Sequence, residues 1–279
     1  MKRAVRKWLL RSLLRFPRRA RPGEILALTY HSIDDSGSAI SFPEQNFRRQ
    51  VEWLASSGYQ SLTASEAAAA LVRGTEPAPR GVVLTFDDGF RSVLDTALPA
   101  LSEVGFNATV FCAAGYVGGR CGWDRAPDIP AVEMMSWGDL GLLLGEGWEI
   151  GGHTVSHAHL PGLASDGIRE EIAAGRRMLE DRLARQVTSF AYPYGEFDER
   201  CVAIAAETGL ASAWTMTPII NAPGSGLFTL GRFNCDRIRS EDAEAAELAL
   251  RTYVSGRYNV YALVTARRVR IRRRRREGR

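Results

Sequence analysis

Val82-Val83-Leu84-Thr85-Phe86-Asp87-Asp88-Gly89 is an apolar, β-branched run that ends on two carboxylates and a glycine. Bounded by Gly81 and Gly89, it reads as a short buried strand. Two carboxylates beside such a run are costly unless a cation or hydrogen bonds compensate them. A second polar knot, His153-Thr154-Val155-Ser156-His157, follows Gly151-Gly152. Its four-residue spacing puts both imidazoles on one side of a helix or tight turn. One Asp and two His make a three-ligand set that leaves a divalent metal open to water. The other Asp remains as a proton acceptor for that water. The combination points to metal-assisted hydrolysis. Imidazoles with one carboxylate suit Zn²⁺, and also Co²⁺, Ni²⁺ or Fe²⁺.

Outward from the 82–86 strand, apolar runs and helical periodicities alternate. Ile25 to Tyr30, Thr109 to Phe111, Trp148 to Ile150, Thr188 to Tyr192 and Ala213-Trp214 read as strands, and Phe228 to Phe233 as a late one. Phe47, Val51 and Leu54 fall at helical spacing before Gly58, and further helices are expected near 91–104, 136–146, 165–184 and 198–208. The Gly- and Pro-rich stretch 115–132 reads as a long loop, and the alanine run 67–70 as plain helix. This β-α alternation implies a parallel sheet with helices outside, closed as a (β/α) barrel. Tyr30-His31, Asp87-Asp88, His153 and Pro193-Tyr194 all lie at the ends of strand candidates. Such barrels gather their chemistry at the C-terminal ends of the strands.

The 279 residues are 45% apolar, enough for a packed core, and the formal net charge is +4. That charge is unevenly spread. Residues 1–22 hold nine basic side chains and no acid, and residues 266–279 hold nine arginines and Glu277, which leaves the body at −13. Three segments follow: a basic amphipathic segment 1–23, a catalytic domain 24–265 and an arginine-rich tail 266–279. Val5, Trp8, Leu9, Leu13 and Phe16 recur at helical spacing among Arg and Lys up to Pro17. That pattern suits a helix lying on an anionic membrane surface. Arg11 and Arg15 interrupt the apolar positions, so neither a signal peptide nor a membrane span is expected here. The expected location is the cytoplasm, peripheral on the inner face of the membrane. The acidic body argues against a nucleic-acid partner. Cys112, Cys121, Cys201 and Cys235 lack zinc-ribbon spacing and read as reduced, buried thiols.

Thr85-Phe86-Asp87-Asp88-Gly89, His153-xxx-His157 and Phe190-Ala191-Tyr192-Pro193-Tyr194-Gly195 together resemble the motifs of the polysaccharide deacetylase family, the NodB-homology fold of carbohydrate esterase family 4. The resemblance spans about residues 24–235 and implies a distorted (β/α) barrel. It implies Asp87 as general base, Asp88, His153 and His157 as ligands of one divalent metal, for which Zn²⁺ is the first candidate by donor set, and the backbone N–H of Tyr194, after Pro193, as an oxyanion donor. Two departures stand out. The late Leu-x-His of the family is missing, because His159 is the last histidine. Leu28-Thr29-Tyr30-His31 instead ends the first strand, similar to the circularly permuted branch with the poly-N-acetylglucosamine deacetylases of biofilm formation, and this makes His31 the general acid. The motif arginine is replaced by Ala191, and Arg232 is the candidate to orient the base in its place.

The activity implied is removal of N-acetyl groups from an amino-sugar glycan or a lipid-linked sugar, as in exopolysaccharide metabolism. Hydrolysis of a non-sugar C–N bond on the same fold is the alternative. A carbohydrate-binding or membrane scaffold without catalysis is a third reading. His159 is expected to be structural.

Overall fold

The computed structural model describes residues 23–74, 80–123, 132–238 and 243–254. The basic segment and the arginine-rich tail expected from the sequence lie outside these residues. Among the described residues, no helix is long and apolar enough to cross a membrane.

The apolar runs form the staves of one parallel sheet. Its strands are β1 (Ile25–Tyr30), β2 (Gln60–Leu62), β3 (Gly81–Asp88), β4 (Thr109–Cys112), β5 (Glu149–Gly152), β6 (Ser189–Ala191), β7 (Ser212–Trp214) and β8 (Phe233–Asn234). The order is β8-β1-β3-β4-β5-β6-β7, and every ladder is parallel. Strand β2 pairs with the first half of β3, on the edge that β4 takes further along. Leu230 bridges to Trp214 of β7, and Phe233 pairs with Leu28 of β1. Residues 230–234 therefore join the two ends of the sheet, and the result is the distorted barrel.

The connecting helices are α1 (Glu44–Ser56), α2 (Ala64–Arg73), α3 (Leu98–Ser102), α4 (Trp137–Gly145), α5 (Ser165–Leu183), α6 (Glu199–Glu207) and α7 (Ala243–Val254). Outward residues of the strands, such as Leu26, Leu28, Val82, Leu84, Val110 and Ile150, pack on the apolar faces of these helices. Inward residues alternate with them, as the two-residue period of a strand requires. Ile25, Ala27, Val83, Phe111, Ala191, Trp214 and Leu230 make an inner core, on which α2 lays Ala64, Ala67, Ala68 and Ala70. The alanine run is the helix that covers this inner core at the lower end of the barrel, with Ala64, Ala67, Ala68 and Ala70 buried. Above that core the inward residues turn polar, through Thr29 and Thr85 to Asp87 and Arg232.

The structure refines two local expectations and adds two elements. The helix expected over 91–104 is present over 91–102, with a π-turn at Val93–Ala97 that leads directly into α3. Pro99 lacks the N–H that regular α-helical bonding needs there. The late strand shifts to Phe233–Asn234, because Gly226, Thr229 and Gly231 are held in turns by Thr229 N–H to Gly226 O and Gly231 N–H to Asn221 Oδ1. Strand β2 and helix α7 were not read from the sequence.

Gly151 faces inward between neighbouring strands. A Cβ there would come within 2.5 Å of the Phe111 ring and 2.7 Å of Ser189 Oγ. Gly151→Ala should therefore destabilise the protein by about 1–3 kcal/mol, the usual cost of overpacking. Equilibrium denaturation checks this, and an unchanged midpoint would contradict it.

Candidate active site

All strands run the same way, so β1, β3, β5 and β6 deliver their C-terminal residues to one mouth. His31, Asp87, Asp88, His153, His157 and Tyr194 line a single cleft of about 200 Å³ there. Asp87 points into the barrel by strand alternation, and a left-handed φ of 75° at Asp88 lets its neighbour reach the same mouth. Thr154, His157 and Tyr194 are left-handed as well, with φ of 67°, 59° and 59°. Four of the five non-glycine residues with positive φ among the described residues are thus at the cleft, the fifth being Ala184 at the end of α5. Backbone strain of this kind persists only where surrounding contacts enforce it.

Asp88 Oδ1 lies 3.1 Å from His157 Nε2 and 3.4 Å from His153 Nε2. One ligand atom from each of the three residues falls within 4.8 Å of the others, and all three side chains are buried. His153 Nδ1 is 2.7 Å from Ala191 O, a carbonyl that only accepts, so Nδ1 carries the proton. In neutral His153 the bare Nε2 then faces a carboxylate oxygen, an arrangement that calls for a cation between them. Asp88 Oδ1 is correspondingly buried without a hydrogen bond. The residues present therefore fit a divalent metal. Burial alone would raise the Asp88 pKa, but the two imidazoles outweigh it and hold the carboxyl far below its ordinary range. Burial pushes His157 down, partly offset by Asp88.

Asp87 sits beside this cluster. Arg232 donates from Nη1 and Nη2 to its two oxygens at 2.6 and 2.9 Å. The guanidinium is fully buried, bonded also to Thr85 Oγ1 and Thr215 O, and lies over the Phe111 ring. Burial would raise the Asp87 pKa, but Arg232 prevails and lowers it. His31 Nδ1 meets Asp236 Oδ2 at 2.6 Å. Desolvation works against the charged imidazole, yet Asp236, with Asp88 and Asp87 farther off, raises its pKa from 6.5 to about 10. Tyr194 lies at the rim on the turn Pro193–Gly195, with Pro193 buried beneath it. His159 stacks on the Tyr194 ring at 3.9 Å and pairs with Glu196 at 2.8 Å, contacts that give this histidine partners the sequence did not suggest. All four cysteines are free and buried.

The cleft thus brings together His31, Asp87, Asp88, His153, His157 and Tyr194, while Arg232 and Pro193 stand behind them. Sequence reasoning missed Asp236, although it follows a strand end as the other site residues do. It also missed Trp123, whose ring stacks on His157 at 4.6 Å from within the long loop.

The sequence profile of the polysaccharide deacetylase family matches residues 74–213. YxkH of Bacillus subtilis (strain 168) is 28% identical over 212 residues, covering 76% of this chain and 71% of YxkH. The poly-β-1,6-N-acetyl-D-glucosamine N-deacetylase of Staphylococcus epidermidis (strain ATCC 35984) is 23% identical over 231 residues, covering 74% and 77% of the two chains. The structure of IcaB from Ammonifex degensii superposes with a TM-score of 0.70 at 24% identity, covering 84% of this chain and 98% of that one. The chain belongs to the polysaccharide deacetylase family, with a distorted (β/α) barrel and a carboxylate–imidazole cluster at its mouth.

Proposed function

We propose that the protein is a metal-dependent N-deacetylase acting on an N-acetylated amino-sugar glycan. One observation carries this reading: Asp88, His153 and His157 converge at the floor of a cleft, beside a second carboxylate, Asp87, that Arg232 holds ionised. A divalent cation held by the three would polarise an acetamide carbonyl and acidify a water molecule. Asp87 then serves as the general base. Its bond to Arg232 makes it a weak base, which suits a water already made acidic. The Tyr194 N–H, at the cleft rim, is the proposed donor to the oxyanion. His31 stays cationic at neutral pH and gives its proton to the departing amine, while Asp236 holds the ring by Nδ1. The C–N bond of the acetamide breaks, water supplies the new C–O bond, and acetate and a free amino sugar leave.

The S. epidermidis relative is named for a poly-N-acetylglucosamine substrate, which favours a polymer. A lipid-linked amino sugar is the second form within the same class, suggested by the basic segment 1–22, which we assign to an anionic membrane surface.

Acetate release from N-acetylglucosamine oligomers and from a lipid-linked N-acetyl sugar should be abolished by chelator and restored by Zn²⁺ or Co²⁺. Hydrolysis of cyclic amides, with no acetate from either sugar, would establish the non-sugar reading instead. Asp87→Asn should keep the metal and lower turnover by roughly 10²–10⁴, the scale of a lost general base. Near-normal turnover in that variant would remove Asp87 from the role.

The pH profile tests His31. Its pKa is raised in the folded protein, so both the proton it donates and the stability of its pair with Asp236 are fully present below pH 6.5 and lost as pH rises through about 10. Asp236→Asn removes the main raising charge and should move the alkaline limb of kcat/KM toward neutral pH. A limb that stays in place would assign it to another group.

A further inference from the structure

The turn that carries both imidazoles is strained at Thr154 and His157, and neither end of it belongs to a regular element. Something must hold it. Its carbonyls are gripped from one side, where Ala114 N–H donates to Thr154 O at 3.0 Å and Gly115 N–H to Val155 O at 2.9 Å. Its amides are gripped from the other. Glu171 Oε2 accepts from Val155 N–H and Ser156 N–H at 3.0 and 2.9 Å, and Oε1 accepts from Ser156 Oγ at 2.7 Å. One carboxylate thus takes three donors from two consecutive residues of the turn. One helical turn farther along α5, Gly175 lets the helix approach. A Cβ there would stand 2.8 Å from Thr154 C and 2.9 Å from Thr154 O. Residues 171 and 175 are four apart and so share a helix face. Neither lines the cleft.

We infer that Glu171 and Gly175 are positioning residues, which set the direction of His153 Nε2 and His157 Nε2 toward Asp88 and thereby the affinity of the metal site. The inference rests on the metal-dependent reading given above. His153 has a second anchor, its Nδ1 bond to Ala191 O. His157 has no such bond, since its Nδ1 is buried without a hydrogen-bond partner. Its ring direction therefore depends on the backbone of the turn, and on the Trp123 and Tyr194 rings against it. Glu171 governs that backbone. The role is geometric: Gln at this position can still accept both amides on one oxygen and donate to Ser156 Oγ.

The probe is Co²⁺ alone, added to the metal-free full chain, with its dissociation constant and visible absorption spectrum as readouts. Glu171→Ala should weaken Co²⁺ binding by about 10–100-fold, the scale of a lost outer partner of a metal ligand, and change the absorption band. Circular dichroism of the metal-free variant should match wild type. Glu171→Gln should bind within a few-fold of wild type. Arg169→Ala, on the exposed side of α5, should bind as wild type. If Glu171→Ala fails to fold, Gly175→Ala carries the test, since its added methyl presses on the turn without removing a hydrogen bond. Wild-type affinity and spectrum in whichever of the two variants folds would overturn the inference. Equal losses in Glu171→Ala and Glu171→Gln would overturn its geometric basis. A wild-type chain that binds no Co²⁺ would instead overturn the metal-dependent reading itself.

Discussion

The buried pair between Arg232 and Asp87 ties the architecture of this protein to its chemistry. Removing a guanidinium wholly from water costs several kcal/mol and is repaid only by excellent geometry with further hydrogen bonds. Arg232 meets that demand with both Asp87 oxygens, Thr85 Oγ1, Thr215 O and the Phe111 face. It also lies between Leu230, which bridges to β7, and Phe233, which pairs with β1. The residue that keeps the carboxylate ionised therefore sits on the segment that closes the sheet. Loss of either partner would leave an uncompensated charge inside the barrel and loosen the seam.

Around that pair, the mouth of the barrel is assembled from unfavourable local conformations. Each left-handed non-glycine residue costs of the order of 1–3 kcal/mol. Four of them surround the site: Asp88, His157 and Tyr194 line the cleft, and Thr154 closes the turn between the two histidines by accepting from His157 N–H. The compensation comes from outside the cleft, from α5, from the 114–115 amides and from the carbonyl of Ala191. The inner core beneath is apolar and small, plugged by the alanines of α2, and it forms the rigid base on which the strained loops stand.

Much of this was legible in the chain. The apolar run before Asp87-Asp88 and the His-xxx-His spacing located the central strand and the cluster, because burial and ligand spacing leave direct marks on sequence. The absence of the motif arginine at Ala191 directed attention to Arg232, and the structure places its guanidinium on Asp87. Other elements left weaker marks. Gln60-Ser61-Leu62 is too short and too polar to show a strand period, and it pairs only because β3 offers an edge. Asp236 and Glu171 are ordinary acidic residues in sequence. Their partners are His31, more than 200 positions away, and a turn 15 positions away, and no local pattern reports either contact.

The distance between these partners along the chain has a consequence for synthesis. Asp87 and Arg232 are 145 residues apart, and His31 and Asp236 are 205 apart. At about 5–20 residues per second, a ribosome needs roughly 7–30 s to travel from the first acid to its guanidinium. Throughout that interval the nascent sheet has an open edge at β1, and its inward carboxylate has no counter-charge. Among the described residues the seam segment is thus the last strand to be made and the one that turns an open-edged sheet, a template for aggregation, into a closed barrel. A chain that stalls before residue 232 lacks both the strand that pairs with β1 and the guanidinium that faces Asp87.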